Sequence, residues 1–174
     1  FFKIGYAPNK SDFYEYLKKE FDEKQIISSG IYYFDENKKI YVDRFRSRII
    51  FPVKSLNGSV LALGGRTLSK TNFAKYINSP ETEFYKKGNN LYNINSAKEI
   101  RTKTDSVYIV EGYMDVIGLY EHGIKNAVAT LGTAVTPNHV SKIMRYTNKI
   151  FFAFDGDLAG GKAAWKAVEN TFPI

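Results

Sequence analysis

From residue 105 onward, apolar β-prone runs alternate with helix-patterned segments, and that rhythm leaves few folds open. Strands joined by helices run parallel, with right-handed crossovers, and a parallel sheet is covered on both faces. The first predicted strand is 106–110, followed by a helix from about Met114 to His122 that Gly123 stops. The second strand is Asn126–Thr130. Thr136-Pro137 then opens a helix as N-cap and first residue, with Val140, Ile143, Met144 and Thr147 on one face. The third strand is 149–154, and a last helix runs from about Gly161 to Asn170.

Acidic residues stand where two of these strands end. Glu111 follows Val107-Tyr108-Ile109-Val110, and Asp155-Gly156-Asp157 follows Ile150-Phe151-Phe152-Ala153-Phe154. Parallel strands bring their C-terminal ends to one edge, where open α/β sheets do their chemistry. Carboxylates gathered there repel one another unless a cation holds them, so Glu111, Asp155 and Asp157 are candidate ligands of a divalent metal serving phosphate chemistry. Asp115 lies four residues past Glu111 and is placed to support the cluster. Taken singly, Asp157 also suits a helix cap and Asp155 a turn.

Other motifs carry less. Gly156 to Lys162 has the spacing of a phosphate-binding loop, but Ala163 stands where that loop needs a hydroxyl for the metal, and Asp157 would face the anion. Lys162 is therefore read as a solvated first-turn lysine. His122 and His139 are expected at helix ends or on the surface, and Trp165, among Ala163, Ala164, Ala167 and Val168, in the core. No Ser or Tyr is paired with a base, so no nucleophile is assigned.

Residues 1–104 read differently, as a mixed α+β region rich in antiparallel strands. Residues 10–24 carry Phe13, Tyr14, Leu17 and Phe21 at helical spacing, with Ser11 or Asp12 to cap, and a second short helix covers Glu23 to Ser28. Ile31–Phe34 and Lys39–Val42 form a predicted hairpin, and Ser47–Val53 and Ser59–Gly64 another around Asn57-Gly58. The stretch from about 69 to 95 is irregular, and a domain boundary falls near 104. Gly64-Gly65-Arg66 reads equally as a tight turn or as a close backbone approach with an arginine reaching phosphate.

Charge divides along the same line. Residues 38–104 hold fourteen basic and four acidic residues, whereas 1–37 hold five and seven and 105–174 six and seven, within an overall charge of +7. Arg44, Arg46 and Arg48 alternate along a predicted strand and would project from one face. A basic region beside an acidic metal-binding one suits an enzyme that processes polyanions. With no cysteine there is no disulfide framework, thiolate zinc site or cysteine nucleophile, as suits the cytoplasm. No apolar run approaches the roughly 20 residues of a membrane span, so no membrane partner is expected. The chain opens at Phe1 without Met and reads as a piece of something longer.

Glu111-Gly112-Tyr113-Met114-Asp115, Leu131-Gly132-Thr133 and Asp155-Gly156-Asp157 resemble the Toprim domain of primases, topoisomerases and some nucleases. Tyr41 to Pro52, Gly64-Gly65-Arg66, Lys75 to Thr82, Lys87-Gly88 and the opening Ile4-Gly5-Tyr6-Ala7-Pro8 resemble the catalytic core of DnaG-type bacterial primase. The resemblance implies a basic subdomain over 1–104 and a Toprim-type parallel-sheet subdomain over 105–174, incomplete at its C-terminus, since a further acidic pair of the family would lie beyond Ile174. It implies a DNA-dependent RNA polymerase that makes short RNA primers for replication by metal-dependent nucleotidyl transfer. Mg²⁺ or Mn²⁺ would be held by Glu111, Asp155 and Asp157, with Asp115 nearby. Arg44, Arg46, Arg66, Lys75 and Lys87 would contact nucleotide and DNA. Implied partners are single-stranded DNA, ribonucleoside triphosphates and, through a C-terminal module absent here, the replicative helicase; the zinc module of the family is absent too. The place implied is the cytoplasm, at replication forks on the nucleoid. The alternatives are another Toprim enzyme, a topoisomerase or nuclease fragment, or an inactive nucleic-acid-binding fragment.

Overall fold

The computed structural model describes residues 1–10, 12–69, 74–104 and 106–172, so Ser11, named above as a helix cap, lies outside the described residues. The chain divides into two compact units, Phe1–Pro52 with Ala62–Phe84, and Val53–Leu61 with Tyr85–Ile174. Residues 85–104 thus pack with the second unit.

A four-stranded sheet has the order β1-β4-β5-β6, from β1 (Gly5–Ala7), β4 (Arg48–Lys54), β5 (Val60–Thr67) and β6 (Tyr76–Asn78), with most of its residues in the first unit. β1 runs antiparallel to β4, and β6 antiparallel to β5. β2 (Tyr32–Asp35) and β3 (Ile40–Asp43) form the separate antiparallel hairpin expected from the sequence. The helix read over 10–24 is only α1 (Phe13–Leu17), and α2 (Glu23–Ser28) follows behind an Asp22–Gln25 capping box. That box accounts for the break: Asp22 adopts an extended backbone and its carboxylate accepts from Gln25 N–H, so one continuous helix is interrupted.

The expectation of three arginines on one strand face is corrected. β3 ends at Asp43 and β4 begins at Arg48; between them Ser47 has φ 51°, in the left-handed region, so no strand runs from Arg44 to Arg48. Arg44 is half-buried, Arg46 exposed and Arg48 buried at 6% exposure.

The second unit holds a parallel sheet ordered β8-β7-β9, from β7 (Val107–Val110), β8 (Ala127–Ala129) and β9 (Ile150–Phe152). The helices are α3 (Ile94–Thr104), α4 (Tyr113–Glu121), α5 (Pro137–Met144) and α6 (Leu158–Thr171). α3 falls in a segment for which no helix was expected. Thr136 caps α5 ahead of Pro137 as its spacing predicts. Val107 and Ile109 of β7 and Val128 of β8 share a core with Ile94, Ala97, Val140, Ile143 and Ala167 from α3, α5 and α6. Ten fully or nearly fully buried apolar residues form one cluster, and its eight Val, Leu and Ile side chains, at about 1.5–3 kcal/mol each, make this core the main support of the sheet. Trp165 is corrected as well: it is 67% exposed, its indole N–H donating to Glu169, because α6 turns Ala167 rather than Trp165 toward the sheet.

Candidate functional site

The carboxylates enter through the register of the parallel strands. Val107 pairs with Ile150 and Ile109 with Phe152, and the ladder extends one step as Ala153 N–H donates to Ile109 O at 2.9 Å. β7 and β9 therefore end side by side, with Glu111 one residue past the first and Asp155 three past the second. Both are exposed, and neither carboxylate makes a hydrogen bond or ion pair within the described residues. A cavity of about 450 Å³ opens at this edge, lined by Glu111, Thr130, Gly132, Thr133, Phe154, Lys162 and Lys166.

The remaining two acids are engaged locally. Asp157 is the N-cap of α6, accepting from Gly160 N–H at 2.7 Å. Asp115 is the third residue of α4 and accepts from Gly112 N–H at 2.9 Å. Both place negative charge at a helix N-terminus, where exposed N–H groups and the helix dipole favour it. Among the described residues no group of three His, Asp or Glu side chains is already drawn together as a metal site: Asp157 and Asp115 face helix termini, while Glu111 and Asp155 are left at the strand ends. The backbone brings the acids to one edge, and two of the four are turned into caps.

Gly160 sets the shape of this edge, although its place in the sequence does not announce it. A Cβ built on it would lie 2.0 Å from Asp155 O and 2.8 Å from Asp155 C, so α6 presses its first turn directly on the Asp155 backbone. The readable signal is the Gly160-Gly161 pair, whose first member alone is crowded.

In the first unit, Arg66 of β5 pairs in register with Tyr76 of β6, its guanidinium 5.8 Å from the tyrosine ring centre. Lys75 reaches the same ring at 5.9 Å, so Arg66 and Lys75 share one aromatic surface. Gly64 and Gly65 lie within β5 rather than in a tight turn, and a Cβ on Gly65 would meet the Phe45 ring at 2.7 Å. Arg48 donates to Ala74 O at 2.9 Å and more distantly to Gly65 and Lys75 O, and burial pushes its guanidinium pKa down. Arg44 donates to Gly30 O and lies 6.0 Å from the Tyr33 ring, whose hydroxyl Arg46 approaches at 3.5 Å.

Lys87, in the second unit, opens a 3₁₀ turn, Lys87–Asn89. His139 was expected at a helix end or on the surface; it is at the start of α5 and wholly buried, with burial pushing its pKa down. His122 caps α4 through Nδ1 and Gly118 O. Tyr92 and Tyr113 meet edge to face at 4.8 Å, and burial raises both hydroxyls above the usual tyrosine range, which keeps them neutral.

Residues 105–173, which hold the parallel sheet with acids at its strand ends, match the Toprim domain model. Residues 1–98 match the model described as DNA primase catalytic core, N-terminal domain. The chain belongs to the DNA primase catalytic-core family. It is 42% identical over 174 residues to the DNA primase of Legionella pneumophila, covering 99% of this chain and 30% of that protein. It is similar to the crystal structure of a DNA primase domain from Pseudomonas aeruginosa, with TM-score 0.88, 41% identity and coverage of 99% of this chain and 54% of that one. A DnaG primase catalytic domain bound to ssDNA gives TM-score 0.88 at 38% identity, with the same shares covered. The chain thus spans about a third of the length of the curated primase and about half of the solved domains.

Proposed function

We propose that this chain is the central part of a DNA-dependent RNA polymerase that lays short RNA primers on single-stranded DNA. The observation that carries this reading is the pairing of a family match along nearly the whole chain with two exposed, unpartnered carboxylates, Glu111 and Asp155, at one edge of the parallel sheet. Their oxygen-only donor chemistry fits a hard divalent ion, Mg²⁺ or Mn²⁺, far better than a thiophilic one. Glu111, Asp155 and Asp157 would hold that ion, with Asp115 supporting from the start of α4. When bound, it supplies charge neutralisation at the phosphates of an incoming ribonucleoside triphosphate.

The division of labour follows the sequence boundary near 104. The basic part, through Arg66 and Lys75 beside Tyr76, holds phosphate; Lys87 adds a further cation. Arg44 and Arg46, beside Tyr33, follow a single-stranded template by charge and stacking. In the whole protein, a replicative helicase partner and a place at replication forks accord with this role.

The test is primer synthesis on single-stranded DNA by a full-length protein carrying this chain, with metal titration by calorimetry alongside. Asp155→Asn should abolish synthesis and weaken metal binding at unchanged thermal stability. Supercoil relaxation without primer synthesis would favour a topoisomerase, and unchanged synthesis in Asp155→Asn would refute the assignment. Template binding should also weaken with salt, and Arg44→Ala with Arg46→Ala should flatten the log–log slope by about 0.7 for each phosphate no longer neutralised.

A further inference from the structure

The 3₁₀ turn Lys87–Asn89 is held from outside. All three of its carbonyls accept hydrogen bonds from α5 or its cap. His139 Nε2 donates to Lys87 O at 2.9 Å, Thr136 Oγ1 to Gly88 O at 2.6 Å, and Lys142 Nζ to Asn89 O. Asn138 Nδ2 adds a bond to Asn89 Oδ1 at 2.7 Å. A three-residue 3₁₀ turn has poor internal geometry and little stability of its own, so such external bonds decide where it sits.

The histidine's protonation follows from its two bonds. Nδ1 accepts from Thr136 N–H at 3.3 Å, so the ring proton resides on Nε2, which donates to Lys87 O. Within the same capping box Thr136 Oγ1 accepts from His139 N–H at 3.2 Å while donating to Gly88 O. His139 therefore closes the capping box with Nδ1 and fastens the turn with Nε2, whereas Thr136 does both through Oγ1. A helix needing only a cap would be served by threonine alone; a fully buried imidazole aimed at a particular carbonyl is a more specific arrangement.

We propose that His139 and Thr136 are positioning residues for Lys87: they lock the 87–88 backbone so that the lysine is presented to a nucleotide phosphate in one attitude. This rests on the reading of Lys87 as a nucleotide-contacting residue. Neither residue touches nucleotide itself; both act through the turn.

A double-mutant cycle on KM for ribonucleoside triphosphate tests this, in full-length protein under primer-synthesis conditions. His139→Ala should raise KM about tenfold, the effect of removing one well-placed hydrogen bond. In a Lys87→Ala background the same change should alter KM less than about twofold, because there is no longer a lysine to position. His139→Gln, whose amide can donate to Lys87 O, should restore most of the affinity. Where thermal melting shows His139→Ala unfolded, Thr136→Val replaces it in the same cycle and should behave alike. Additive effects of His139 and Lys87, or of Thr136 and Lys87, overturn the inference alone. Wild-type KM in Lys87→Ala overturns both the assignment of Lys87 and the inference built on it.

Discussion

Substituting Gly160 probes a place where α6 and the Asp155 segment press backbone to backbone. A methyl group there would sit 2.0 Å from Asp155 O, 2.8 Å from its carbonyl carbon and 3.0 Å from its nitrogen. Ordinary carbon–oxygen contact needs more than 3.0 Å, so helix or loop must retreat by about an ångström, and no flexible side chain is available to yield. Overpacking of this kind costs about 1–3 kcal/mol. The same shift pulls Gly160 N–H off the Asp157 carboxylate, a cap worth about 0.5–2 kcal/mol. Gly160→Ala should therefore destabilise by about 2–4 kcal/mol, which for a protein of this size is a fall of about 5–15 °C in melting midpoint. Gly161→Ala is the control, since nothing lies within 4 Å of its added Cβ and alanine gains up to about 1 kcal/mol over glycine in a helix. Thermal unfolding followed by circular dichroism reads both. If Gly160→Ala melts at or above wild type, the close approach does not hold and the placement of Asp155 against α6 is wrong.

Other expectations separate architecture from chemistry. Asp157→Ala should cost about 1 kcal/mol through removal of the cap, while Asp157→Asn keeps a capping oxygen and the melting midpoint; if Asp157 also serves the metal, Asn should still impair synthesis. Arg48→Met leaves the Ala74 carbonyl without its donor and should destabilise by about 1–3 kcal/mol in urea titrations, with protease sensitivity rising first near residues 74–75. Burial lowers the His139 pKa from the ordinary 6.5, so below about pH 6.5 the unfolded chain takes up a proton that the folded one refuses. Stability should fall as the pH drops from there, by up to about 1.4 kcal/mol per pH unit until the folded pKa is passed, and His139→Gln should remove that component of the slope.

Much of the second unit was legible because its signals are local. Thr136-Pro137 marks a helix start by cap chemistry and a preset φ, and Val107 to Val110 reads as a strand by side-chain type alone; both stand where expected. Glu111 and Asp155 at one edge follow from nothing more than parallel strands ending together. Legibility failed where an outcome turned on partners distant in sequence. Arg44 to Arg48 carries a perfect alternation, yet Ser47 adopts a left-handed φ and Arg48 is drawn inward to the carbonyls of Gly65, Ala74 and Lys75. His139 stands at a helix end as its position suggests, but its burial was not legible because nothing near it in sequence announces the Lys87 turn 52 residues earlier.

By itself, then, the order of residues determined the strands of the second unit, their parallel sense and the place of Glu111 and Asp155 beyond two strand ends, since these depend on periodicity, capping and crossover handedness. Only the tertiary structure decided which polar side chains turn inward. Arg48 and His139 are buried because the carbonyls they serve, of Ala74 and Lys87, lie 26 and 52 residues away and come within hydrogen-bonding reach only in the folded chain.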